Sequence, residues 1–178
     1  DDANAATLNG LAAAYNDIRG GIGFNKSPAT YGAFPTDPYS HTPKDKGAKQ
    51  PGMTGQVKEE ILTRFGELGV RVQGGAIEFR PLLLDQSEFS QQPVAFDYVT
   101  VDGQRRSLEL PVNALAFTLG QTPVVLVRAV QPQVEVVYAD GQRTQIPGAV
   151  LAATIAAHIF RRDGVIDHLV VTVAADRP

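Results

Sequence analysis

Residues 96–110 read FDYVTVDGQRRSLEL, and this stretch decides the fold class. Asp102-Gly103 stands between Val101 and Gln104, flanked by runs of alternating character. Asp-Gly suits a type I′ turn, whose twist matches that of paired strands. The device recurs in VEVVYADGQRTQI (134–146) at Asp140-Gly141, and HIFRRDGVIDHLVVTV (158–173) repeats it at Asp163-Gly164. VRVQGGAIEF (70–79) is a pair of alternating runs around Gly74-Gly75, another hairpin signal. NALAFTLG (113–120) and PVVLVRAV (123–130) are apolar and β-branched enough for buried strands. Short strands with regularly placed turns predict an antiparallel β-sandwich. The Ala-rich piece at 149–157 predicts a short helix inserted into it. The DGQR shared by 102–105 and 140–143 is one turn solution used twice, not a duplication.

Upstream of Val70 the period changes from two to that of a helix. Leu8, Leu11, Ala12, Tyr15 and Ile18 recur at helical spacing, with Asp2 as N-cap and Gly20 as stop. A second stripe runs through Val57, Ile61, Leu62, Phe65 and Leu68. Thr54 caps this second helix by accepting from a free backbone N–H, and Glu59 and Glu60 sit near its positive end. Gly69 supplies a left-handed stop, and Val70 folds back on the last turn. The predicted class is therefore α+β: N-terminal helices and a long loop over 1–69, then an antiparallel β-sandwich over 70–178. A sandwich buries its own core between its sheets, so the helical stripes need another partner. They dock on an outer sheet face, or they belong to a larger helical assembly.

Composition narrows the function classes. The apolar fraction of 43% and charged fraction of 20% are those of a folded globular chain. The net charge is −3 with no basic face, which argues against nucleic acid. No cysteine is present, so a disulfide framework, a thiolate metal site and a cysteine nucleophile are excluded. That leaves the compartment open, with the cytoplasm slightly favoured. The most apolar stretch, 148–160, is too short to span a bilayer and runs into Arg161 and Arg162. The first residue is Asp1 and the single methionine is Met53, so the expectation is a chain processed or cut from a longer one.

Between the helices lies YGAFPTDPYSHTPKDKGAKQPGMTGQ (31–56). Loops of this length without secondary structure are uncommon, and are functional or disordered. Asp37, Tyr39, Ser40 and His41 fall within five residues, flanked by Lys26, Lys49 and Gln50. Tyr31, Phe34 and Tyr39 add flat apolar faces. Carboxylates, amides and imidazoles beside aromatic rings are what a saccharide requires, since its hydroxyls need hydrogen-bond partners and its C–H faces stack. The competing reading is an ordered surface loop in which Pro35, Pro38 and Pro43 set turns and Asp37 closes an Asx-turn.

Other constellations are weaker. Glu59 and Glu60 are adjacent on a helix and point about 100° apart, so they do not form the acid–base pair that glycoside cleavage needs; Asp37 and Glu59 together remain open. His41, His158 and His168 lack metal-ligand spacing. In a two-residue hairpin at Asp163-Gly164, His158 and His168 become diagonal neighbours. GGIGF (20–24) follows a helix rather than a strand, which makes a poor phosphate cradle. No cofactor and no metal is implied.

The order of these parts carries a resemblance. DPYSHTPKDKGAKQPGMTGQVKEEILTRFGELGV (37–70), GGAIEFRPLLL (74–84), ALAFTLGQTPVVLV (114–127) and HIFRRDGVIDHLVV (158–171) together resemble the C-terminal end of large bacterial cellobiose-phosphorylase-like proteins. More broadly the chain looks like the end of the α/α-barrel glycoside hydrolases and phosphorylases. The resemblance covers nearly the whole chain, and the 37–60 motif carries most of it. It implies that Thr54–Leu68 matches the last barrel helix and that 31–53 borders the sugar site, with Asp37, Tyr39, His41 and Gln50 as substrate-binding positions. The barrel itself, including the general acid, would lie upstream, so the catalytic residues are unknown. The expectation is the C-terminal portion of a carbohydrate-active enzyme, incomplete alone. Its partners would be an oligosaccharide and either the upstream helical domain or a second copy. The alternative is a non-catalytic β-sandwich module that binds glycans or a protein.

Overall fold

In a computed structural model the described residues are 2–22 and 55–174. The chain divides into two units, one running through Phe65 and one starting at Gly66. The first holds helix α1 (Asp2–Ile22) and most of helix α2 (Gly55–Glu67). α1 passes through Gly20 and Gly21 rather than stopping there, because a glycine costs a helix only about 1 kcal/mol and does not by itself break it. Asp2 is its first helical residue rather than its cap. Ala12 is buried, while Leu11 and, in α2, Ile61 and Leu62 stay more than half exposed. Thr54 lies outside the described residues. Among the described residues, no helix is long and apolar enough to cross a membrane.

In the second unit, Gly69 follows the end of α2 in the left-handed conformation (φ 67°). Its N–H donates to the Gly66 carbonyl at 3.1 Å, and its own carbonyl accepts from the Arg80 N–H at 2.8 Å. A Cβ here would lie 2.0 Å from the Arg80 carbonyl carbon, so only glycine allows this approach. Ten strands follow: β1 (Val70–Gln73), β2 (Ala76–Phe79), β3 (Val94–Val99), β4 (Arg105–Leu110), β5 (Ala114–Leu119), β6 (Thr122–Ala129), β7 (Gln133–Tyr138), β8 (Arg143–Pro147), β9 (Val150–Leu151) and β10 (Ile166–Ala174). Helix α3 (Ala153–Arg161) precedes the last.

The strands form a three-stranded sheet β1-β2-β9, a five-stranded sheet β5-β6-β10-β7-β8, and the separate hairpin β3-β4. The expected α+β composition is present, but the pairing is mixed rather than wholly antiparallel. β10 inserts between β6 and β7 and runs parallel to β6. A parallel strand needs a crossover connection, and α3 is part of it. Asp163-Gly164 is therefore no hairpin. It is the connection between α3 and β10, after Arg162 has closed the helix in the left-handed conformation (φ 54°). His158 sits on α3 and not on a strand. The Ala-rich piece is helical, as its composition predicts, but the helix lies a few residues further on. The spacing of Ile155, Ala156 and Ile159 puts all three against the core.

The turns also refine the expectation. Gly74-Gly75 has two positive φ angles, as a type I′ turn requires, and so does Gly120-Gln121. At Asp102-Gly103 and Asp140-Gly141 only the glycine is left-handed. There the Gly103 N–H donates to the Thr100 carbonyl and the Gly141 N–H to the Tyr138 carbonyl, both at 2.9 Å. Both are three-residue loops, a type I turn followed by a left-handed glycine.

Alternation sorts the five-stranded sheet into two faces. Leu115, Phe117, Val124, Leu126, Val134, Val136, Leu169 and Val171 share one cluster with Ile77, Phe79, Leu151 and Ile159. Each fully buried side chain of this size contributes about 1.5–3 kcal/mol. Ala114, Ala116, Val125 and Val127 point the other way and pack with Phe96, Leu108 and Leu110 of the β3-β4 hairpin. Ser90 secures the strand between: its N–H donates to the Ala114 carbonyl at 2.8 Å, and its Oγ accepts from the Ala114 N–H at 3.1 Å.

Candidate functional site

The β3-β4 turn, the β5-β6 turn and the start of β10 meet around a cleft of about 280 Å³. Tyr98, Thr100, Asp102 and Arg106 line it from the hairpin, Gln121 and Thr122 from the β5-β6 turn, and Asp163 and Asp167 from the chain entering β10. Tyr98 and Arg106 are register partners across β3 and β4, so both reach the same side. The Tyr98 ring stacks near-parallel on Phe96, with centroids 6.2 Å apart. Stacking at i and i+2 follows from the strand period.

Asp167 is placed by an irregularity. β10 pairs Ile166 with Tyr138 and His168 with Val137, leaving Asp167 as an extra residue in the ladder. Such a bulge re-aims a side chain, and here Ile166 and Asp167 both line the cleft. Arg106 Nη1 donates to Asp167 Oδ1 at 3.2 Å, and His168 Nδ1 lies 2.7 Å from Asp167 Oδ2. Asp163 is held from the other side. Its Oδ2 lies 2.8 Å from His158 Nδ1, and its Oδ1 accepts from the Val165 N–H at 3.2 Å.

These contacts set the charge states. The hydrogen bond from the Thr100 hydroxyl holds the Asp102 carboxyl below the usual carboxylate range. The His158 side chain does the same for Asp163. Burial, with Asp167 adding to it, pushes the Tyr98 phenol up. At neutral pH the cleft therefore presents ionised carboxylates and a neutral phenol. Gln121 adds an amide: Nε2 donates to the Thr100 carbonyl at 3.2 Å, while Oε1 is buried without a hydrogen-bond partner. Among the described residues, no three His, Cys, Asp or Glu side chains are arranged to hold a metal.

The sequence-predicted site residues Asp37, Tyr39, His41 and Gln50 lie outside the described residues, as does the rest of the 31–53 loop. The side chains of Glu59 and Glu60 do too. His158 and His168 are not diagonal partners of one hairpin. One sits on α3 and the other on β10, and each pairs with its own aspartate. Sequence reasoning missed Tyr98, Arg106, Gln121 and Asp167. Gln121 left one readable signal: Gly-Gln stands between two apolar strands, where Asn-Gly or Gly-Gly is the usual choice.

Comparison with known proteins adds no family, since no family model matches the chain and no curated protein does.

Proposed function

We propose that this chain is the C-terminal portion of a carbohydrate-active protein of the glycoside hydrolase or phosphorylase kind, and that its β-domain is non-catalytic and binds a saccharide. The observation that carries this reading is the convergence of carboxylates, a guanidinium, an amide and a phenol on one small cleft. Planar polar groups of this kind bind vicinal hydroxyls in pairs, and an aromatic ring beside them takes the C–H face of a sugar. The cleft falls just below the usual range for ligand pockets, about 300–1,000 Å³, which suits one sugar ring rather than a long chain.

The electrostatics favour holding over cleaving. A general acid for glycoside cleavage needs a raised pKa. Asp102 and Asp163 are shifted the opposite way, each by a hydrogen bond to its ionised form. They are hydrogen-bond acceptors at neutral pH. In this reading the catalytic acid belongs to the helical barrel that the sequence resemblance places upstream. α1 and α2 are the end of that barrel, and Asp37, Tyr39, His41 and Gln50 line its sugar site. The three-stranded and five-stranded sheets serve as the two leaves of a sandwich.

The test is a calorimetric titration of the chain with a panel of oligosaccharides, together with assays on cellobiose with and without phosphate. The expected result is saccharide binding that Arg106→Ala weakens about tenfold, the scale of one lost charge-assisted hydrogen bond, and no turnover. Turnover by this chain alone overturns the non-catalytic assignment. Absence of binding to every saccharide overturns the whole reading.

A further inference from the structure

We propose that the β3-β4 hairpin is a hinged flap: it swings on its base, is latched at its tip by the side chains of Arg106 and Gln121, and carries one wall of the cleft with it. This device is part of the fold and does not depend on which ligand the cleft takes.

The two ends of the hairpin are held differently. It forms a two-stranded sheet of its own, and among the described residues neither β3 nor β4 pairs with another strand. At the base, Ser90 gathers the chain before β3 and the chain after β4. Its Oγ donates to the Pro111 carbonyl at 2.8 Å, its carbonyl accepts from the Asn113 N–H at 2.8 Å, and it bonds Ala114 twice. The Asn113 carbonyl in turn accepts from the Arg128 N–H of β6 at 3.1 Å. At the tip, among the described residues, the hydrogen bonds that cross to the sheet use side chains: Arg106 Nη1 to Asp167 Oδ1 and Gln121 Nε2 to the Thr100 carbonyl, both at 3.2 Å. The Arg106 guanidinium is more than half exposed, and an exposed ion pair holds weakly. Apolar cover follows the same gradient. Leu110, nearest the base, is buried, while Phe96 and Leu108 midway are only partly so. Tyr98 is covered too, but its ring stacks on Phe96 of the same strand and moves with it.

The closed latch is under tension. Gln121 keeps φ at 70°, a conformation that glycine adopts without strain and glutamine does not. The turn itself needs no glutamine, whereas the bond to the Thr100 carbonyl needs its amide. While the tip is down, Oε1 is buried with no hydrogen-bond partner, and a buried acceptor without a donor costs free energy. Raising the tip admits water to that oxygen, so opening offsets part of the cost of breaking the latch. Tyr98, Thr100, Asp102 and Arg106 move with the hairpin, while Gln121, Asp163 and Asp167 stay with the sheet. The cleft therefore exists only with the flap down, and a ligand touching both walls holds it shut.

The chain has no cysteine, so a single introduced thiol reports its own exposure. Val124 and Val125 are neighbours on β6 and face opposite sides: Val124 lies in the inner core and Val125 under the hairpin. The experiment measures, in the full chain, how fast dithiobis(nitrobenzoate) labels Val125→Cys and Val124→Cys, in buffer and in low urea. The Val125→Cys thiol is expected to label at least about a hundredfold faster, because local opening needs less free energy than global unfolding. Urea should speed the Val124→Cys thiol steeply and the Val125→Cys thiol little, because raising a flap exposes far less surface than unfolding does. Adding Arg106→Ala should speed the Val125→Cys thiol about two- to fivefold, the range of an exposed ion pair, and high salt should act in the same direction. Equal rates for the two thiols, or an equal response to urea, overturn the flap, since the outer face then opens only with the whole domain. A fast Val125→Cys thiol that Arg106→Ala leaves unmoved overturns the latch.

Discussion

The two faces of the five-stranded sheet are covered by different means. The inner face, with Val124, Leu126, Val134, Val136, Leu169 and Val171, is sealed by the three-stranded sheet and α3, and these residues are fully buried. On the outer face, among the described residues, the β3-β4 hairpin packs over β5 and β6. Where that cover ends, at the tip of the hairpin and the entry to β10, the residues turn polar and the cleft opens. Continuous apolar packing leaves nothing free to bind a ligand. The edge of a partial cover exposes polar groups that a rigid sheet still holds in position, so stability and ligand binding are expected to separate by face.

That separation can be broken by substitution, and the largest effect is expected on the inner side. Gly69→Ala would bring its Cβ within 2.3 Å of the Pro81 nitrogen as well as onto Arg80. Backbone must shift to admit it, so a loss above about 4 kcal/mol is expected in urea unfolding, or failure to fold. Next is Leu126→Ala, a fully buried side chain, with an expected loss of about 3–4 kcal/mol. Leu110→Ala tests the outer cover. Its cluster is smaller and bordered by half-buried groups, so the cavity can relax, and about 2 kcal/mol is expected. Equal losses for Leu110 and Leu126 would erase the distinction between the faces.

Smaller effects test the cleft. Arg106→Ala removes an ion pair whose guanidinium is more than half exposed, so it should cost under about 1 kcal/mol in stability. Asp167 keeps its contact with His168 in that variant. Last comes acid. The folded-state pKa values of Asp102 and Asp163 lie below the unfolded carboxylate value. Their stabilising contribution is therefore complete above the unfolded value of about 3.9 and disappears as pH falls through the lower folded value. His158→Ala removes the main cause of the Asp163 shift. In that variant the Asp163 carboxyl, followed by NMR, should titrate at higher pH. An unmoved titration would show that α3 does not tune this side of the cleft.

Much of the fold is legible in residue order. The Gly74-Gly75 hairpin, the left-handed Gly69, the helical Ala-rich piece and most strands follow from period and turn chemistry, which are local. Asp163-Gly164 misleads because Asp-Gly suits several left-handed junctions, and here Arg162 has already turned the chain out of a helix. Asp102-Gly103 is a turn as its sequence predicts, yet of a different type, because the type depends on one further residue that the strand register assigns to the loop. The cleft was hardly legible. Arg106 and Asp167 lie far apart in the chain and meet only through packing, and the extra residue that presents Asp167 arises from how β10 pairs with β7.

By itself the sequence determined where strands and helices form, because alternation and helical spacing act over a few residues and need no distant partner. Only the tertiary structure decided that the last strand lies between β6 and β7, parallel to one and antiparallel to the other. Apolar β-branched strands are nearly interchangeable as pairing partners, so the choice falls to the crossover through α3 and to the shared core. The same choice draws Tyr98, Arg106, Gln121 and Asp167 around one cleft.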